Sequence, residues 1–262
     1  MSEELYEAVP DVDAYLARIG IERPQELTLE CLDALVFAHQ CAVPFEDLDV
    51  CEKAQNVSLG IRALFDKVVV RRRGGYCFEL NALFGALLKA LGFETRACMA
   101  RILIRPVPHP LISHRANIVT IDGVEYLVDV GLAGPQPSFA LRLEDGFSRA
   151  GEGQEFFVRR HDDFWWDMSY RGSKEEERAV SRVCAMPVGE EDFIPLSFYQ
   201  AGNPESVFRT TRIVNIRTDD GAVNLRGSTL AVFSGGEKIE REISADELDR
   251  VLEEHFGIVD WR

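Results

Sequence analysis

The stretch Arg73-Gly74-Gly75-Tyr76-Cys77-Phe78-Glu79-Leu80-Asn81 sets two glycines ahead of a cysteine and opens a helical pattern. Leu80, Leu83, Phe84, Leu87, Leu88 and Leu91 recur at helical spacing, and Gly92 stands where a helix would stop. The spacing predicts a helix from about Cys77 to Leu91. Cys77 lies on the apolar stripe, three residues before Leu80, in the first turn. Its sulfur would face inward beside unpaired backbone N–H groups and the positive end of the helix dipole. That setting favours the thiolate, the reactive form of cysteine. Gly74 and Gly75 would allow a tight backbone approach just before the helix, and Arg73 adds positive charge nearby. The competing reading is a small buried core residue, since free cysteines are among the most buried side chains. A nucleophilic cysteine also needs a base.

Upstream, the chain reads as helical. Asp11 can cap a helix through Ala14, Tyr15, Leu16 and Ile19, with Gly20 as its stop, and Thr28 a second through Leu32, Leu35, Val36 and His39. A proline-marked loop follows at Val43-Pro44-Phe45-Glu46-Asp47. Ser58 is expected to cap a third helix through Ile61, Leu64 and Phe65.

Downstream of Gly92 the period changes to two, and residues 95–104 read as a strand. Residues 94–115 carry Arg96, Arg101, Arg105 and Arg115 against the single acid Glu94. This basic segment is either a solvated strand face or a site for an anionic substrate tail. Residues 106–110 form a proline-broken loop with His109 exposed. Asp122-Gly123 between two apolar runs is a strong hairpin signal. With those two residues as the turn, Ile121 pairs with Val124 and Asp129 falls opposite Ala116. His114 then lies two residues along on the same face, a diagonal neighbour of Asp129 at about 7–8 Å between backbones. A three-residue turn would put the two on opposite faces. Asp129 sits in the apolar run Leu127-Val128-Asp129-Val130, and a buried carboxylate needs a partner. The following Gly131-Leu132-Ala133-Gly134 could cradle phosphates through its N–H groups, although it matches no phosphate-loop spacing. Residues 156–170 are strand-like and aromatic, residues 174–178 a charged turn or linker, and residues 207–243 a run of strands. A last helix opens at Ser244 with Glu247 completing a capping box.

The 262 residues, 46% hydrophobic, suffice for a substantial core, and the net charge of -15 argues against bulk nucleic-acid binding. The acidic start shows no apolar signal segment and no run spans a bilayer, so we expect a cytoplasmic protein with no membrane partner. None of the six cysteines forms a C-x-x-C pair, so no metal site is expected and most thiols should be free.

A thiol at a helix start with a His and an Asp on one hairpin face suits acyl transfer. The thiolate attacks a carbonyl carbon, the imidazole moves the proton, and the carboxylate orients the imidazole. A cysteine helix beside a β-borne histidine is also the general layout of papain-like folds. These stretches, with Val43-Pro44-Phe45-Glu46, the His114 strand, Tyr126-Leu127-Val128-Asp129-Val130-Gly131 and Asn203-Pro204-Glu205-Ser206-Val207-Phe208, resemble the arylamine N-acetyltransferase family over nearly the whole chain. The resemblance implies an α+β fold: a helical bundle carrying the nucleophile (residues 1–91), a β-barrel carrying His and Asp (92–191), and an α/β lid (192–262). It implies Cys77, His114 and Asp129 as the triad, with Arg73 and Glu46 paired to brace the loop before Cys77. It implies acetyl-CoA as donor, the nitrogen of an arylamine, hydrazine or N-hydroxyarylamine as acceptor, and ping-pong turnover through an acetyl-cysteine. Gly131, Gly134 and Arg101 are the candidate contacts to the CoA donor. Three positions depart from the family's usual pattern. Leu132 and Ala133 stand where an aromatic and a glycine are usual, and Asp47 stands where asparagine is usual. Leu132 and Ala133 leave room for an amide synthase acting on carrier-bound acyl chains. A non-catalytic small-molecule binding homologue is a further alternative, and a cysteine protease or transglutaminase shares only the triad types. Oligomeric state is not legible.

Overall fold

The computed structural model describes residues 3–105, 107–151, 153–172 and 175–262. Pro106 and Lys174, at the start of two stretches read above as loop or linker, lie outside them. The chain opens with α1 (Val12–Ile19) and α2 (Leu29–Ala42). Asp11 accepts the Ala14 N–H at 2.9 Å and Thr28 the Cys31 N–H at 3.2 Å, each satisfying an orphan donor of its helix. Gly20 ends α1 in the left-handed region, at φ 73°. After β1 (Phe45–Glu46), α3 (Leu48–Cys51) and α4 (Ile61–Phe65), a π-helical turn (Asp66–Val70) leads to α5 (Cys77–Leu91). Gly60, not Ser58, caps α4: the Ser58 hydroxyl is used two residues early, accepting the Gly60 N–H.

α5 is the central helix. Leu80, Leu83, Leu87 and Leu88 are fully enclosed, and each such side chain contributes roughly 1.5–3 kcal/mol through its removal from water. Gly92 stops it at φ 107°. The helix packs against β2 (Glu94–Ile102) and β3 (Ile112–Ile121) of an eight-stranded sheet. That sheet continues through β4 (Val124–Val128), β5 (Leu141–Arg142), β6 (Phe147–Gly151), β7 (Gln154–Arg160), β8 (Trp165–Gly172) and β9 (Arg178–Cys184). Its order is β5-β4-β3-β2-β9-β8-β7-β6, and the end strands β5 and β6 meet to form a nearly closed barrel. Residues 156–170 are thus a hairpin of two strands, turned at residues 161–164 by Asp162, which accepts the N–H groups of Phe164 and Trp165.

The C-terminal part holds α6 (Phe193–Gly202), α7 (Val207–Thr210), β10 (Ile213–Thr218), β11 (Gly221–Arg226), β12 (Thr229–Ser234), β13 (Glu237–Glu242) and α8 (Leu248–Phe256). Residues 207–210 are helical rather than extended because the Ser206 hydroxyl caps them, accepting the Phe208 N–H. The Glu247 carboxylate accepts the Ser244 N–H at 3.0 Å, closing the start of the last helix. β1 adds to this second sheet, ordered β1-β10-β11-β12-β13, so the N-terminal segment is stitched to the C-terminal one. Three apolar clusters fill the helical layer, the barrel interior, and the space between the second sheet and α8. Among the described residues no helix is long and apolar enough to cross a membrane.

Candidate active site

Cys77 occupies the first position of α5, after Tyr76 in extended conformation. Glu79 reaches back and accepts the Tyr76 N–H at 3.0 Å, a carboxylate placed at the helix N-terminus where the dipole favours it. The approach to Cys77 is held against the strap at residues 43–46. Glu46 donates its N–H to the Gly75 carbonyl at 2.9 Å, and a Cβ on Gly74 would collide with the Pro44 carbonyl. The Cys77 side chain is buried, with Sγ 4.0 Å from the Ser113 carbonyl, and it reaches the wall of a cleft of about 480 Å³.

His114 and Asp129 come from the β3–β4 hairpin. The pairs Ile121 with Val124 and Asn117 with Val128 establish the two-residue turn, in which Asp122 and Gly123 take φ 51° and 77°. Asp129 lies one residue past β4. His114 Nε2 and Asp129 Oδ2 are 2.6 Å apart, and both side chains are buried. Asp129 therefore accepts the hydrogen bond from Nε2–H and leaves Nδ1 for the thiol. Burial disfavours a charged imidazole, but Asp129 and Cys77 outweigh it through charge and hydrogen bonding, so the His114 pKa is raised. Burial likewise opposes the Asp129 carboxylate, yet His114, Asn81 and the Gly131 N–H hold its pKa below the usual value. A β-bulge at Ser113, between the pairs Ala100–His114 and Arg101–Ile112, turns β3 beside the histidine.

Asn81, one turn into α5, ties the helix to both strands of the hairpin. Its Nδ2 donates to the Arg115 carbonyl at 2.6 Å and to Asp129 Oδ1 at 2.9 Å, and its Oδ1 accepts the Val130 N–H at 3.0 Å. Gly131 lies directly against the nucleophile, and a Cβ there would sit 2.8 Å from Cys77 Cα. Its N–H is bonded to Asp129 and that of Leu132 to Gln136, so neither points outward for a phosphate.

Beneath the start of α5 lies a second buried charged group. Arg73 donates from Nε and Nη2 to Glu46 Oε1 at 3.0 and 2.7 Å. Lys67 Nζ lies 2.8 Å from both Glu79 and Asp49. Burial resists the Lys67 charge, but the carboxylates of Glu46, Glu79 and Asp49 more than restore it. Asp47 is the exception. Its Oδ1 accepts the Ile213 N–H at 2.8 Å, while Oδ2 has no partner among the described residues, and burial pushes its pKa up to about 8.

The cleft brings Cys77, His114 and Gly131 together, walled by Phe45, Ile102, Leu132, Ala133 and Phe208. Arg101 and Gly134 are not on that wall. The Arg101 guanidinium stacks 5.0 Å over Trp165 and donates to the Pro110 carbonyl, while Gly134 sits beneath Ile104. The charged side chains that do line the cleft are Arg105, Arg226 and Glu205. Arg105 belonged to the basic segment visible in the sequence. Arg226, on the last residue of a C-terminal strand, had no local signal, and neither did the bridging role of Asn81.

A family model described as "N-acetyltransferase" matches residues 28–260. The arylamine N-acetyltransferase of Mycolicibacterium smegmatis is 36% identical over 256 residues, covering 95% of this chain and 92% of that one. The solved structure of the Mycobacterium marinum arylamine N-acetyltransferase superposes with a TM-score of 0.89 at 32% identity, covering 95% of this chain and 93% of that one. The same enzyme solved in complex with CoA gives a TM-score of 0.88 at 31% identity, again over 95% and 93% of the two chains. A match along nearly the full length, at identities above 30% and with one common fold, makes this chain an enzyme of the arylamine N-acetyltransferase family.

Proposed function

We propose that Cys77 carries an acetyl group between acetyl-CoA and an arylamine, hydrazine or N-hydroxyarylamine in a ping-pong cycle. The observation that carries this reading is the buried His114–Asp129 pair, 2.6 Å apart, opening onto the cleft that holds Cys77. With Nε2 bound to Asp129, the Nδ1 side of the imidazole takes the thiol proton. The sulfur bonds to the thioester carbonyl carbon, the bond from that carbon to the CoA sulfur breaks, and the imidazolium protonates the departing thiolate. The imidazole then takes a proton from the incoming acceptor as it attacks the acetyl-cysteine carbonyl, and Cys77 is released. A thioester donor suits the nucleophile, because attacking and leaving groups are both thiols. The cysteine helix docked on the barrel supports the papain-like description, and the cleft residues from 199–226 support a C-terminal segment that covers the site as a lid. The test is a steady-state grid of acetyl-CoA against an arylamine, run on wild type and Cys77→Ser. Parallel double-reciprocal lines and an inactive variant are expected; intersecting lines or an active variant would sink the mechanism.

A second reading, amide synthesis from a carrier-bound acyl chain, is favoured by one observation. Leu132 and Ala133 wall the cleft beside Cys77, and the rim residues Ile104, Val107 and Leu111 are exposed apolar side chains suited to a longer chain. A higher kcat/KM with long-chain acyl thioesters than with acetyl-CoA would select it.

A further inference from the structure

We propose that Arg105 and Arg226 form a two-guanidinium subsite at the cleft mouth that binds the phosphates of the CoA thioester and so selects the donor. The inference rests on the acetyl-CoA reading above and assigns donor recognition to two residues far apart in the chain. Arg105 follows β2 on the loop beyond the barrel, and Arg226 ends β11 of the second sheet. Both side chains are exposed, and both line the cleft whose wall carries Cys77 and His114. Among the described residues that line the cleft they are the only lysine or arginine side chains. Among the described residues neither guanidinium has an ion-pair or hydrogen-bond partner, whereas most other arginines of the chain are paired.

Two like charges directed into one cleft repel each other, and the fold supplies no carboxylate bonded between them. Burial and the neighbouring Arg105 charge both lower the Arg226 pKa, which places the two groups within electrostatic reach. Asp47 lies near enough to Arg226 to act on it. Burial pushes the Asp47 carboxyl up to about 8, which weakens the compensation it offers the guanidinium near neutral pH. Among the described residues Glu205 is the one carboxylate on the cleft wall, and it is not bonded to either arginine. An anion that bridges the pair removes the repulsion and gains charge-assisted, bidentate hydrogen bonds. The molecule as a whole, at a net charge of -15, repels such a donor. A local cationic pair at the mouth is therefore what admits a polyanion to this site.

The test compares a charged with an uncharged donor. Single-turnover acetylation is followed with acetyl-CoA and with S-acetyl-N-acetylcysteamine, a thioester without phosphate, on wild type, Arg105→Gln, Arg226→Gln and the double variant. The ratio of second-order rate constants, acetyl-CoA over the neutral thioester, should fall about tenfold in each single variant and further in the double. In wild type the same ratio should fall as salt is raised, because exposed charges are screened. Arg250→Gln, on the exposed face of α8, should leave the ratio unchanged. A ratio unmoved by either cleft substitution overturns the proposal while leaving the acyl-cysteine cycle standing. Calorimetric binding of CoA and of pantetheine to the same proteins separates the two ideas further. CoA affinity should weaken about tenfold in each variant and pantetheine affinity should not. Equal CoA affinity in all four proteins overturns the subsite. A wild type that binds CoA but is acetylated by neither donor instead removes the acyl-carrier reading.

Discussion

Two buried charged groups meet at the start of α5, and they are built on opposite plans. On one side the carboxylates of Glu46, Asp49 and Glu79 surround the cations Lys67 and Arg73, each ion held by an opposite charge within 2.8 Å. On the other, His114, Asp129 and Asn81 are equally buried, but the chain of bonds ends in the cleft at a sulfur. The first group is closed and has nothing left to give a ligand. The second has one hydrogen-bonding position not used within it, the Nδ1 side of His114, which faces Cys77. Burial of charge is common to both, so burial alone does not mark a site. What separates them is whether the last donor or acceptor is used inside the protein.

Removing Asp129 should break the open group most severely. In Asp129→Ala the imidazole loses the partner that sets its tautomer, and kcat/KM should fall by about 10²–10⁴. Alkylation of Cys77 at neutral pH should slow in parallel while Cys98 and Cys184, both buried, stay slow throughout. Unchanged turnover would place the two groups in one class.

The closed group should answer in stability. Arg73→Met leaves Glu46 short of its main partner in a buried setting, and unfolding free energy should drop by about 3–5 kcal/mol in a denaturant titration. The double variant Arg73→Met with Glu46→Met should recover part of that loss, because the stranded charge is gone. A double variant worse than the single one would contradict the closed-cluster account.

How much of this could be read beforehand follows from how local each cause is. The span of α5 and both its ends were legible, because an uninterrupted leucine stripe and one glycine determine them. The facing of His114 and Asp129 was legible from a single dipeptide, because an Asp-Gly turn sets the register of every pair behind it. The bulge at Ser113 was not, since an extra residue in one strand shows only against its partner. Nor was the cleft wall, which joins Arg105 of the barrel loop to Arg226 of a sheet completed by β1. That juxtaposition depends on the packing of whole layers, for which no short pattern exists. Ser58 and residues 207–210 were misplaced for a smaller reason: where one hydroxyl spends its hydrogen bond is a local detail, on the Gly60 N–H two residues early in the first case and on the Phe208 N–H in the second.

Asn81→Ala tests the bridge between nucleophile helix and hairpin. It strands the Val130 N–H and removes one of the two donors to Asp129 Oδ1. Stability should fall by about 1–3 kcal/mol, and kcat/KM should fall about tenfold with KM for the donor little changed. A loss of stability with unaltered kcat would make Asn81 purely structural.

The smallest effect has the opposite sign. Asp47 is an acid whose folded-state pKa, about 8, lies above its unfolded value. Between the two values the folded chain binds more protons, so this group's contribution to stability falls as pH rises from about 4 towards 8. Asp47→Asn keeps an acceptor for the Ile213 N–H and removes the titration. It should raise stability at pH 8 by about 1–2 kcal/mol and have little effect at pH 5. Destabilisation at pH 8 would mean that the ionised carboxylate is used.

The most direct measurement is intact-mass analysis of the protein after a brief exposure to acetyl-CoA with no acceptor, followed by peptide mapping. The account predicts one acetyl group, located on Cys77, that disappears when an arylamine is added and never forms on Cys77→Ala. An acetyl group lodged on another residue, or acceptor acetylation with no adduct at Cys77, would contradict it.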